Sequence, residues 1–118
     1  MTAENSYSTR QNKVSRLVQK ELGEYFQREA SLYFHNGMIT VTVVRVSPDL
    51  SLAKVYLSIF PPERREEVMK LVEESGKTIR HELGRKIRNQ VRIIPELAFQ
   101  LDDSMDYFEK IDNLLRKK

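Results

Sequence analysis

From Val14 onward, apolar residues recur at intervals of three and four: Val14, Leu17, Val18, Leu22, Tyr25 and Phe26. A helix of 3.6 residues per turn gathers such positions into one stripe, so the pattern predicts a helix running to about Glu29. Ser8-Thr9-Arg10-Gln11 has the S-x-x-Q form of a capping box, in which hydroxyl and amide satisfy free amide groups at the helix start. Asn36-Gly37 is a turn signal. Ile39, Val41 and Val43 then alternate with Met38, Thr40 and Thr42, as a strand requires. The phase slips to Val44 and Val46, which predicts a bulge near Val43 and Val44. Ser47-Pro48-Asp49 supplies a turn, and Ala53, Val55, Leu57 and Ile59 face one way in a second strand, antiparallel to the first.

Pro61-Pro62 ends that strand, and Pro62 suits the first turn of a helix because its missing amide hydrogen has no partner there. Val68, Leu71 and Val72 form the buried stripe of this second helix, which ends near Ser75-Gly76. Ile79, Leu83 and Ile87, spaced by four, carry a third helix. Pro95 disfavours helix at Ile94, after which Leu97, Phe99 and Leu101 alternate in a third strand. Asp102-Asp103-Ser104 then caps a last helix, with Met105, Phe108, Ile111 and Leu115 on one face and Arg116-Lys117-Lys118 at its negative end. The predicted order is α-β-β-α-α-β-α, an α+β domain.

At 118 residues the chain builds one core, not two. It has no cysteine, and His35 and His81 lie far apart, so neither a disulfide frame nor a metal site is expected. The first ten residues carry no apolar stretch, and no run approaches the roughly 20 residues of a membrane span. A cytoplasmic protein with no membrane contact is expected.

"ESGKT", Glu74 to Thr78, resembles the tail of a nucleotide-binding phosphate loop. The position where that loop requires its first glycine is Leu71, in a helix stripe, and the segment follows a helix instead of a strand. Nucleotide chemistry is therefore rejected. The plain alternative makes Gly76 a helix C-cap and Lys77 a solvated charge.

Charge changes this picture. On a helical wheel Lys77, Arg80, His81, Gly84, Arg85 and Arg88 share one sector beside the apolar stripe. Residues 76–92 hold six Lys or Arg and one acid, whereas the whole chain has a net charge of only +3. The second helix mixes its signs, as solvated helices do to gain i,i+4 pairs. A one-signed face repels itself, and an anionic partner relieves it. Gly84, inside that face, costs about 1 kcal/mol relative to alanine; either a phosphate backbone or a packed neighbour explains it.

"VSPDLSLAKVYLSIF" (Val46 to Phe60), "ESGKTIRHELGRKIR" (Glu74 to Arg88) and "VRIIPELAFQLDDS" (Val91 to Ser104) together resemble bacterial ribosome-binding factor A, a likeness that runs from about Arg10 to Leu115. The resemblance implies a single KH-like domain of type II topology, with its three-stranded sheet packed on helices. It implies a non-enzymatic protein without cofactor or small-molecule substrate that binds the 30S subunit and 16S rRNA. Late maturation, rRNA processing and growth in the cold are the processes implied, with the protein a monomer off the ribosome. On this basis residues 1–9 form a flexible N-terminus, 10–103 the RNA-binding domain and 104–118 a C-terminal helix or tail. The family's Ala-x-Gly kink reads Glu74-Ser75-Gly76 here, which puts an acid beside the kink. A second departure is Ala30 to Met38, where the family commonly has a shorter segment containing Asp-Pro-Arg, and no contacts are carried over there. The expected rRNA contacts are Arg10, Lys13, Arg16 and Lys20 on the first helix, Ser75 and Gly76 at the kink, Lys77, Arg80, Gly84, Arg85 and Arg88 on the third helix, and Arg92 beyond it.

Lys54 and Tyr56 should face away from Val55 and Leu57, on a sheet face either covered by the terminal helix or open to a partner. Tyr56 and Phe60 there offer rings for base stacking or for packing under a neighbouring segment. A protein–protein adaptor using this face is the alternative function.

Overall fold

The computed structural model describes residues 8–33 and 38–102, in the order α1 (Thr9–Tyr33), β1 (Met38–Val46), β2 (Leu52–Phe60), a 3-10 turn (Pro62–Arg64), α2 (Arg65–Glu74), α3 (Gly76–Ile87) and β3 (Glu96–Leu101). The predicted last helix, His35 and the Asn36-Gly37 turn lie outside the described residues. The sheet order is β1-β2-β3, antiparallel then parallel, which is the predicted α-β-β-α-α-β arrangement.

α1 starts as its capping box dictates: Gln11 Oε1 accepts from the Ser8 amide at 2.8 Å, and Ser8 Oγ accepts from the Gln11 amide at 3.0 Å. Thr9, assigned to the N-terminus by sequence, is already helical. The same Gln11 side chain donates from Nε2 to the Val46 carbonyl at 2.8 Å, and Gln19 Nε2 donates to the carbonyls of Val41 and Thr42 at 3.3 Å each. Eight residues of helix rise about 12 Å, close to the length of the four or five strand residues that separate those acceptors. α1 therefore runs antiparallel to β1 and shields part of its edge, where free carbonyls would otherwise invite another strand.

The predicted bulge is present one residue earlier than expected. Val41 pairs with Leu57 and Val43 with Tyr56, so Thr42 is the extra residue. Val43, expected in the core, consequently turns outward, and Val44 and Val46 turn in. Thr42 holds the distortion through its hydroxyl, which lies 3.2 Å from the Tyr56 carbonyl and 2.6 Å from Asp102 Oδ2. The β1–β2 turn is fastened by Asp49 Oδ1, which accepts from the hydroxyls of Ser47 and Ser51 at 2.7 Å each and from the Ser51 amide at 3.1 Å. These bonds, Ser47's first, lower the Asp49 pKa by stabilising its charged form. Leu50 follows with φ of 64°, a left-handed conformation that the sequence did not announce, and packs half-buried against the core.

One face of the sheet and three helices enclose the core. Val14, Val18, Leu22 and Phe26 come from α1, and Ile39, Val41, Val55, Leu57 and Ile59 from the sheet; Val68, Val72, Ile79, Leu83 and Ile87 close it from α2 and α3. Phe26 stands edge-on to Tyr25 and to Phe99, with ring centroids 5.5 and 6.3 Å away, and so joins α1 to β3. Leu97 and Phe99 are half-buried and Leu101 is exposed, so the end of β3 is less covered than its alternation suggested.

Candidate functional site

α2 and α3 meet at a one-residue break. Ser75, at φ −91° and ψ 6°, caps α2, and its amide bonds back to the carbonyls of Leu71 and Val72. Gly76 is thus the first residue of α3 and not the C-cap glycine expected, because a bridge-region Ser75 turns the chain without a left-handed residue. An added Cβ at Gly76 would meet nothing within 4 Å, so internal packing leaves room for a side chain there. No side chain caps α3, which leaves the amides of its first turn without a side-chain acceptor and with partial positive charge. "SGKT" is accordingly a helix–helix junction, and Leu71 sits half-buried within α2.

Burying Ile79, Leu83 and Ile87 turns the basic sector of α3 outward. Lys77, Arg80, His81, Gly84, Arg85 and Arg88 line one open concavity of about 510 Å³, closed on one side by Ile94 from the loop before β3. His81 and Ile94 belong to this surface although neither was among the expected contacts. Lys77 and Arg88 make no ion pair among the described residues, and Arg85 lies 3.4 Å from Glu82 while remaining largely exposed. Such a surface pair contributes little. Glu74, the acid at the kink, is exposed at the end of α2.

Two expected contacts also meet the loop before β3. Arg80 donates from Nε to the Pro95 carbonyl at 3.0 Å and from Nη2 to the Ile94 carbonyl at 2.8 Å, so it pins the loop that leads into β3. Gly84 lies beneath Ile94: an added Cβ would sit 3.5 Å from Ile94 Cγ1, an ordinary contact distance. Neither packing nor backbone conformation therefore requires a glycine at this position, since the helical backbone is one that alanine also adopts. Gly84→Ala is expected to raise stability by roughly 0.5–1 kcal/mol, read as a higher urea midpoint. Its affinity for small ribosomal subunits should stay within about twofold of wild type; a larger loss would show that a ligand backbone reaches residue 84.

On α1, Lys13, Arg16 and Lys20 line a second open concavity of about 500 Å³ together with Gln90, from the turn after α3. The structure thus brings α1's cations beside the end of the α3 surface. Lys20 also lies within 3.8 Å of Glu24 and 3.7 Å of Glu21, whereas Arg10 is exposed in the first turn of the helix. Arg92 is exposed in the loop between α3 and β3. Among the described residues no helix is long and apolar enough to cross a membrane.

The family model described as Ribosome-binding factor A matches residues 10–115. Proteins of that name from Cytophaga hutchinsonii and Chlorobaculum tepidum are 48% and 42% identical over 110 residues each, covering 93% and 92% of this chain and 83% and 90% of theirs. In structure, the chain is similar to ribosome-binding factor A from Thermus thermophilus, with a TM-score of 0.64 at 23% identity over 77% of this chain and 94% of that one. It is also similar to a Thermus thermophilus homology model fitted into the cryo-electron microscopy map of a complex with the 30S subunit, with a TM-score of 0.57 at 25% identity over 80% and 92% of the two chains. The sequence match spans nearly the whole length, and the chain belongs to the ribosome-binding factor A family.

Proposed function

We infer that this protein binds the small ribosomal subunit by laying the α3 surface against 16S rRNA phosphates, acting by binding and not by catalysis. The observation that carries this reading is the one-signed face of Lys77, Arg85 and Arg88 beside the uncapped start of α3. Cations spread along one helix face, with uncapped amides at its start, are what a phosphate backbone requires. The names of the relatives, and the 30S complex into which a similar protein was fitted, support the choice of partner. A role in late maturation and rRNA processing, including in the cold, follows from the family resemblance, as do a cytoplasmic location and a monomeric state off the ribosome.

Co-sedimentation with isolated small subunits and with complete ribosomes, across a salt series, tests this reading. Binding through about four phosphates should make log affinity fall against log salt with a slope near −3. Preference for free small subunits is expected. A slope near zero would instead favour an adaptor that docks on protein.

A further inference from the structure

The face of the sheet turned away from the helices carries its own pattern. Along the β1–β2 ladder, Arg45 lies opposite Lys54, Val43 opposite Tyr56, Thr40 opposite Ser58, and Met38 opposite Phe60. These residues are exposed or half-buried, Met38 and Phe60 at 64% and 63%. At about 3.3 Å per residue the strip from Lys54 to Phe60 is roughly 20 Å long.

Two features of this strip cost the isolated protein. Like charges directly across a ladder repel, and neither Arg45 nor Lys54 makes an ion pair among the described residues. Neither β1 nor β2 contains an acid. On β3, Glu96 stands opposite Leu52 at the strand's start without a bond to either cation, and Asp102, the residue after β3, reaches across to the Thr42 hydroxyl with Oδ2 at 2.6 Å. The far end exposes a cross-strand Met–Phe pair to water. An anion between the two cations and flat apolar groups over Tyr56 and Phe60 would relieve both costs at once.

We propose that this sheet face is a second nucleic-acid surface, which takes a single-stranded RNA segment with a phosphate between Arg45 and Lys54 and bases stacked on Tyr56 and Phe60. Single strands offer unstacked bases to aromatic rings, whereas a duplex offers mainly phosphates and sugars. The α3 concavity, which no Phe, Tyr or Trp lines, suits the duplex-like backbone. Because α3 packs on the opposite side of the sheet, the protein holds two RNA segments at once. The proposal rests on the reading of the protein as an rRNA binder, but the two surfaces are tested separately.

The probe is a fluorescein-labelled twelve-nucleotide oligo(U), titrated with the full chain and followed by anisotropy. Tyr56→Leu/Phe60→Leu keeps apolar bulk while removing the rings and should weaken binding by about tenfold or more with an unchanged salt slope. Arg45→Ala/Lys54→Ala should weaken it similarly and flatten the salt slope by about 1 to 2. Lys77→Glu/Arg85→Glu/Arg88→Glu lowers the net charge by six and should weaken oligo(U) binding through the general field, but by less than either sheet variant does, while losing small subunits, as argued in the Discussion. Independently of any variant, an oligo(U) containing 4-thiouridine should cross-link the wild-type chain within residues 54–60. The proposal is overturned if wild type does not bind oligo(U), if only the α3 variant loses it, or if cross-links fall only in 76–92. Loss of small-subunit binding in the sheet variants without any oligo(U) binding would assign the face to a protein partner and likewise overturn it. Failure of the α3 reading shows elsewhere, as retained small-subunit binding in the α3 variant.

Discussion

Lys77→Glu/Arg85→Glu/Arg88→Glu is expected to abolish co-sedimentation with small subunits while keeping the wild-type circular dichroism spectrum. The three side chains line one concavity, and among the described residues only Arg85 has an internal partner, Glu82 at 3.4 Å. Replacing three attractive phosphate contacts by three repulsive ones should cost at least about 100-fold in affinity, since each single phosphate contact already contributes roughly one unit of salt slope. The cost to the fold is small: giving up a surface pair and placing acids at the negative end of α3 amounts to about 1 kcal/mol. Arg80 is left out of the set because of its bonds to the carbonyls of Ile94 and Pro95. Its reversal would test the loop before β3 rather than docking. Co-sedimentation within about twofold of wild type would end the case for α3 as the ribosome-facing surface.

Phe26→Ala carries the largest expected effect on stability. The ring is fully buried between Tyr25 and Phe99, and its removal leaves a cavity that α1 and β3 cannot collapse into without breaking the Gln11 and Gln19 bonds to β1. Phe-to-Ala changes at such sites cost roughly 3–5 kcal/mol, a large share of the roughly 5–15 kcal/mol of a domain. With an unfolding slope of about 1–2 kcal/mol per molar urea, the midpoint should fall by about 2 M or more. Phe26→Leu should recover much of the loss. A drop of less than about 1 kcal/mol would mean that α1 does not pack on β3 through this ring.

The elements were legible where their cause is local. Ser8 and Gln11 form their box within four residues, and the stripes of α1, α2 and α3 need only the helical period. The slip of phase in β1 announced a bulge, but alternation alone does not say which residue is extra. Thr42 takes that place because its hydroxyl reaches Tyr56 and Asp102, and these partners arrive from β2 and from the end of β3. Gly76 looked like a cap from its neighbours, yet Ser75 makes the turn. Leu50 gives no sign in sequence of its positive φ, which the Asp49 turn and the core impose together.

The basic sector was equally legible, because a helix of known phase carries its charges with it. Which of those cations are free to meet a partner was not. Lys77 and Arg80 stand three residues apart on the same face, and nothing local separates them. Arg80 finds its acceptors in carbonyls 14 and 15 residues further along, and Gly84 finds its neighbour in the Ile94 side chain of the same loop. Periodicity, capping and charge are properties of neighbouring residues, so the chain alone determined the helices, the strands and the sign of the surface. Partners brought in by the return of the chain to β3 exist only once it has folded, and the tertiary structure alone shows that Arg80 holds the loop before β3 while Lys77 and Arg88 make no ion pair among the described residues.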